Sequence, residues 1–235
     1  MTSHIAIIGN ERNSLHPIYT RIPESLQESA KYLNIDIQTN WFGTSSFVDS
    51  IDLLKKYDGI FAAPTPFSSL EGFYNSVKYA RESNTPWISA CGGTQYAIIE
   101  YARNVLGISD AEHVENDPHC TLKFVNYLPD CYRVSNDGDL KKFEITLIEN
   151  SQSSHIYQST KIKENFFANY MLDSKYYEKM YSTNLKLTGF YEESNTPCLI
   201  ELEDHSFFIG ALFQPQMSSS IEKPHPLITQ FLRHS

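Results

Sequence analysis

Cysteine is scarce in this chain. Cys91, Cys120, Cys131 and Cys198 are four in 235 residues, too scattered for a disulfide framework, and none stands in the Cys-x-x-Cys spacing that holds structural zinc. No metal or cofactor is expected. Clustered positive charge is also missing: 28 acidic side chains outnumber 19 basic ones, the formal net charge is -9, and no run of Lys or Arg occurs. That balance excludes the basic footprint of a nucleic-acid or anionic-membrane binder, and makes a small molecule or another protein the expected partner. Nowhere do about eighteen apolar residues follow one another, and MTSHIAIIGN runs straight into a strand pattern without a basic leader. A soluble, cytoplasmic protein is the expectation.

What the sequence does have is an alternation of strands and helices. With 41% hydrophobic residues the chain can bury one good-sized core, and one domain over 1–235 is expected. His4–Gly9 is a short apolar run of the kind buried on both faces of a parallel sheet. A polar loop follows, then a helical stretch near 22–33. Strands are predicted at 35–41 and 57–63, with a short helix at 50–56 between them. Leu70, Phe73, Val77 and Ala80 have helical spacing, and Pro86 separates that helix from a strand at 87–90. From about residue 122 the pattern turns to extended segments, FEITLIE, LKLTGFY, PCLIELE and FFIGALF, an antiparallel extension of the sheet with a hairpin turn at 203–206. SQSSHIYQST, near 151–160, reads as a mobile loop. The fold class is α/β, with a mostly parallel central sheet.

Cys91 falls in Ser89-Ala90-Cys91-Gly92-Gly93-Thr94-Gln95, on a sharp turn between a predicted strand and a helix over 94–106. Open α/β sheets place their ligands at such carboxyl ends of strands. The segments KKYDGIFAAP, EGFYNSVKYARESNTPWISACGGTQYAIIEYARNVLGISDAE and HSFFIGALFQPQMSSSIEKPHPLITQFL resemble, over nearly the full length, the glutamine amidotransferase domain of CTP synthase, and in particular the stand-alone CTP synthase C-terminal region-related (seleno)proteins. The Ala102-Arg103-Asn104-Val105 run is the most specific part of the match. The resemblance implies a class I amidotransferase, flavodoxin-like three-layer fold, in which an elbow cysteine with a histidine and a glutamate from a late His-Pro-Glu motif hydrolyses glutamine.

Carried over residue by residue, the resemblance assigns Cys91 as the nucleophile, Gln95 as the glutamine four residues later, and Glu115 as the acid that holds the substrate's amino group, with Gly92 beside the nucleophile. The late motif is Phe213-Gln214-Pro215-Gln216, so Gln214 and Gln216 stand for the histidine and glutamate. A glutamine side chain does not take a proton from a thiol at neutral pH. Ala63-Pro64-Thr65-Pro66 replaces the expected glycine-rich oxyanion loop, and Pro64 brings no N–H; each lost donor typically costs about a hundredfold in rate. Phe167-Ala168-Asn169-Tyr170 replaces the segment that supplies a carboxylate-gripping arginine, leaving Asn169 and Tyr170 at the substrate positions.

Two readings follow. In the first the protein is a cysteine-dependent hydrolase or transferase acting on a small molecule other than free glutamine. A helix N-terminus would then lower the Cys91 pKa, and Glu11 in the first loop or His113 after the elbow helix would assist it, with His119 a lesser choice. In the second it is a non-catalytic protein that binds a small molecule or docks on a partner. Asp204-His205 reads as an exposed turn, and Tyr170, Tyr176, Tyr177 and Tyr181 as amphipathic packing. His225 reads as part of the turn into a C-terminal helix over 226–233 that covers the sheet edge.

Overall fold

The computed structural model describes residues 2–9, 16–128, 141–166 and 168–235. Glu11 and Cys131 lie outside them. Twelve strands and six helices are formed among the described residues, and the first half alternates as the sequence pattern requires: β1 (Thr2–Ile8), α1 (Pro17–Leu33), β2 (Asp36–Phe42), β3 (Gly59–Ala62), α2 (Leu70–Ser83), β4 (Trp87–Ala90) and α3 (Gly92–Asn104). β5 (Glu112–His113), β6 (Lys123–Tyr127), β7 (Lys141–Leu147), α4 (Gln152–Tyr157), β8 (Lys161–Phe166), β9 (Tyr170–Leu172) and α5 (Tyr177–Tyr181) come next. β10 (Leu185–Tyr191), β11 (Pro197–Leu202), β12 (Phe208–Ala211) and α6 (Pro226–His234) complete the chain.

The main sheet has nine strands in the order β2-β1-β3-β4-β12-β11-β10-β7-β8, and β5-β6-β9 form a small second sheet. β2, β1, β3, β4 and β12 are mutually parallel, while β11, β10, β7 and β8 extend the sheet antiparallel. This is the expected α/β class. The parallel strands read as apolar runs because both of their faces are covered: Ile5 to Ile8, Ile60 to Ala62 and Trp87 to Ala90 are all buried.

Several local expectations are corrected. α1 begins at Pro17, with His16 as N-cap and Pro23 inside the helix. Proline at the first helical position is favoured because its missing N–H has no partner to lose there. The helix expected at 50–56 is instead a pair of 3-10 turns, Thr44–Phe47 and Leu54–Lys56. The 151–160 stretch contains α4, capped by Ser151. The buried Glu201 carboxylate accepts the Gln152 and Ser153 N–H groups at 2.9 and 2.8 Å, so a carboxylate from β11 satisfies the orphan donors of this short helix. α6 packs on α1 and on the central strands β3 and β4 and so covers the middle of the sheet, because its Leu227, Ile228, Phe231 and Leu232 are buried. His205 is half-buried in its turn, one ring nitrogen lying 3.0 Å from Ala80 O.

The glycines at the start of α3 are a packing requirement. A Cβ on Gly93 would lie 2.9 Å from both Ala62 O and Ala63 O, and one on Gly92 would lie 2.8 Å from Thr65 N. Backbone atoms cannot swing away, so the clash outweighs the better helix propensity of alanine. Gly93→Ala is expected to lower stability by about 1–3 kcal/mol, seen as a reduced urea midpoint at unchanged far-UV circular dichroism.

Candidate functional site

β4 delivers Cys91 to the carboxyl end of the parallel sheet, where its N–H donates to Ala211 O of β12 at 2.8 Å. The residue has φ 52° and ψ -117°, a strained conformation for a side chain other than glycine. Thr94 locks the turn beneath it: its hydroxyl donates to Ala211 O at 2.8 Å and lies 2.9 Å from Ser89 Oγ. Cys91 is thereby held on an elbow at the N-terminus of α3, as the sequence spacing implies.

The groups around its sulfur are donors. The Gly92 N–H and the Gln214 side chain both hydrogen-bond the thiol. Gln214 and Gln216 are fully buried, and their amide orientations are fixed from the far end. Gln216 Nε2 donates to Ile18 O in α1 at 2.8 Å and to Gln214 Oε1 at 3.3 Å. Since a carbonyl only accepts, Gln216 turns its nitrogen to Ile18, Gln214 turns its oxygen to Gln216, and the Gln214 N–H is left to donate to Cys91. Burial pushes the Cys91 thiol up to about 11, with the Glu115 charge adding to the rise and the Gln214 and Gly92 hydrogen bonds opposing it. The expected lowering by the helix N-terminus is overruled, because desolvation of a thiolate outweighs the few donors available.

Pro64 is buried under the elbow and Thr65 lies against Gly92. The Tyr19 hydroxyl of α1 donates to Thr65 O, tying this loop to the helix that also anchors Gln216. Thr65 retains a backbone N–H between two prolines, a donor that the sequence comparison overlooked.

His113 is brought close to Gln95 and not to the thiol. Its Nδ1 accepts the Glu115 N–H at 3.1 Å, so the proton is on Nε2, which donates to Gln95 Oε1 at 3.1 Å. Gln95 Nε2 in turn donates to Tyr170 O at 2.7 Å. The imidazole is fully buried, stacked on Tyr96 at 4.9 Å and met edge-on by Tyr170 at 4.8 Å. Burial drops its pKa to about 3. With both nitrogens hydrogen-bonded and its pKa lowered by burial, His113 holds the Gln95 amide in place. His119 is exposed.

Glu115 is exposed on one side and hydrogen-bonded to the Tyr170 side chain, with its carboxyl raised chiefly by desolvation. Tyr170 is itself pushed up to about 12, first by burial and then by the Glu115 charge. Asn169 precedes it and accepts the Leu128 N–H on its carbonyl at 2.8 Å. The specific Arg103-Asn104 pair anchors this wall: Arg103 donates to Ala111 O at 2.8 Å and to Glu112 at 2.9 Å, and Asn104 to Glu100 at 3.0 Å. Among the other tyrosines, Tyr176 stacks on Phe124 at 4.5 Å, and Tyr181 is exposed.

A family model described as glutamine amidotransferase class-I matches residues 18–234. The chain belongs to the class-I glutamine amidotransferase family. Among curated relatives it is 35% identical over 231 residues to the CTP synthase of Phytoplasma australiense, covering 93% of this chain and 41% of that one. It is 29% identical over 236 residues to the CTP synthase of Clostridium beijerinckii, covering 97% of this chain and 44% of that one. The chain thus spans less than half the length of these relatives. A solved structure, the glutaminase domain of Trypanosoma brucei CTPS with bound acivicin, superposes with a TM-score of 0.86 at 23% identity, covering 99% of this chain and 93% of that one. This amidotransferase chain therefore keeps the family fold and carries glutamine at 214 and 216. No helix among its described residues is long and apolar enough to cross a membrane, and no group of three His, Cys, Asp or Glu there is arranged to hold a metal.

The buried imidazole sets a pH dependence. Folded His113 binds fewer protons than the unfolded residue between its ordinary value of 6.5 and about 3, so stability is lost as pH falls through that window. The limiting slope is about 1.4 kcal/mol per pH unit. Urea unfolding at pH 7 and pH 5 is expected to show a smaller acid loss in His113→Gln than in the wild type. Equal losses would place the proton on the folded imidazole.

Proposed function

We propose that this protein binds a small, amine-bearing carbonyl compound at the Cys91 elbow without hydrolysing it, as a pseudo-amidotransferase. One observation carries the reading: the side chain that meets the Cys91 sulfur where a base is required is the Gln214 amide, oriented to donate, beside a thiol pushed up to about 11. A donor lowers the pKa of a thiol by stabilising its thiolate, but it accepts no proton, and here desolvation outweighs it. The Gly92 N–H meets the sulfur, and a backbone donor at an elbow suits a ligand carbonyl oxygen. Glu115 is without an ion-pair partner among the described residues, and stands beside Tyr170, whose ring and the Tyr96 and His113 rings form an aromatic wall. A carboxylate next to aromatic faces favours a protonated amine. Asn169 stands where the resemblance implies a carboxylate-gripping arginine, which disfavours a ligand that also carries a carboxylate.

The strained elbow at φ 52° favours a second reading, a cysteine-dependent transferase or hydrolase whose base arrives with its substrate or with a partner.

Four experiments separate these. Glutamate release from glutamine is expected to stay at the level of Cys91→Ser. Alkylation of Cys91 by iodoacetamide, followed by mass spectrometry, is expected to rise with pH toward a midpoint near 11, and a midpoint below the free-thiol value of about 8.5 would favour the catalytic reading. 4-Aminobutanamide, which has the amine and amide of glutamine but no α-carboxylate, is expected to raise the melting temperature more than glutamine does, and Glu115→Gln is expected to weaken it at least tenfold. The double substitution Gln214→His, Gln216→Glu is expected to bring the Cys91 alkylation midpoint down, since it restores an acceptor beside the sulfur.

A further inference from the structure

At the β7–β8 edge of the main sheet, a cleft of about 750 Å³ opens between these strands, the end of α4 and the start of α6. Its volume lies within the roughly 300–1,000 Å³ of small-molecule sites. Four of the chain's thirteen lysines line it, Lys142, Lys161, Lys163 and Lys223. In a protein of net charge -9 this is a concentration of positive charge against the overall sign.

The one carboxylate in the lining, Glu164, does not neutralise them. It is buried at 4% exposure, and its oxygens accept from the Tyr157 hydroxyl at 2.8 Å and the Ser218 hydroxyl at 2.9 Å and lie 3.0 Å from His225 Nε2. His225, also buried, accepts the Leu227 N–H on Nδ1 and so donates from Nε2. The floor is a closed, fully partnered network that makes the cleft rigid. Asn165 extends it, donating to Ser218 Oγ at 3.0 Å, and Lys142 stands directly opposite Asn165 in the β7–β8 register.

The lysines divide into two kinds. Lys161 and Lys163 lean on Glu192 and Glu144 at 2.6 and 3.6 Å, neither of which lines the cleft. Lys142 and Lys223 have no carboxylate partner among the described residues, and Lys223 is fixed by a turn in which it exchanges hydrogen bonds with Ser220 at 3.1 and 3.2 Å. Through Ile156, Gln158, Lys223 and Pro224 the cleft runs into a second depression of about 420 Å³ that adds Tyr32, His155, Glu222 and Arg233, the last two of opposite charge. Ammonium groups at one end and ring-bearing, partly apolar walls at the other suit a molecule with an anionic head and an organic body.

We propose that this cleft binds a small organic phosphate, with the phosphate between Lys142 and Lys223 and the organic part in the second depression. The site is separate from the Cys91 elbow and does not depend on what the elbow binds.

Isothermal titration calorimetry of the whole chain with adenosine 5′-triphosphate, ribose 5-phosphate, inorganic pyrophosphate and sulfate, at matched ionic strength, tests it. At least one of the two organic phosphates is expected to bind ten times or more tightly than sulfate and more tightly than pyrophosphate. The double substitution Lys142→Ala, Lys223→Ala is expected to weaken that binding at least tenfold and to leave the melting temperature of the ligand-free protein unchanged, while Cys91→Ser leaves the binding intact. Affinities no greater than that for sulfate, binding of pyrophosphate alone, or wild-type affinity in the double lysine variant would each overturn the proposal.

Discussion

The carbonyl of Ile18 can only accept, and that single polarity propagates through the site. It fixes the Gln216 amide, which fixes the Gln214 amide, which presents an N–H to Cys91. The same constraint leaves Gln216 Oε1 buried without a partner among the described residues, a cost on the order of 1–3 kcal/mol. Two buried glutamines thus fill the space beside the elbow and turn an N–H toward the sulfur. A base would draw a proton from the thiol; an amide N–H waits for charge that burial keeps from forming.

The walls of the pocket follow the same logic of buried groups satisfied in their neutral forms. His113 is enclosed as an uncharged ring because both nitrogens have partners that suit one tautomer and because the aromatic faces of Tyr96 and Tyr170 exclude water. Its task is to hold the Gln95 amide against Tyr170. At the β8 edge of the sheet, where Glu164 is buried, the solution differs. There the carboxylate is held below its ordinary range despite desolvation, since His225, Tyr157 and Ser218 all converge on it. One cluster excludes charge and the other contains it.

Much of this was legible in the chain. Apolar runs such as HIAIIG and YDGIFAA announce buried parallel strands, and Ser89-Ala90-Cys91-Gly92-Gly93 announces the elbow, because close packing against Ala62, Ala63 and Thr65 leaves no room for a side chain at either glycine. The glutamines of Phe213-Gln214-Pro215-Gln216 were equally plain. The 151–160 stretch was misread for a reason of distance: α4 is capped in part by Glu201 of β11, a partner fifty residues away that no local pattern discloses. The Glu164–His225 pair was missed likewise, its members lying on an edge strand and a helix cap far apart in sequence.

Sequence by itself therefore determined the fold family, the place of Cys91 on a strand-to-helix turn, and the glutamines at 214 and 216, since these rest on short-range spacing and residue identity. Tertiary structure alone decided the state of the thiol, the neutrality of His113, and the gathering of four lysines around one cleft. Protonation and local field depend on desolvation and on which dipoles point inward, and both are set by segments that meet only when the sheet is assembled.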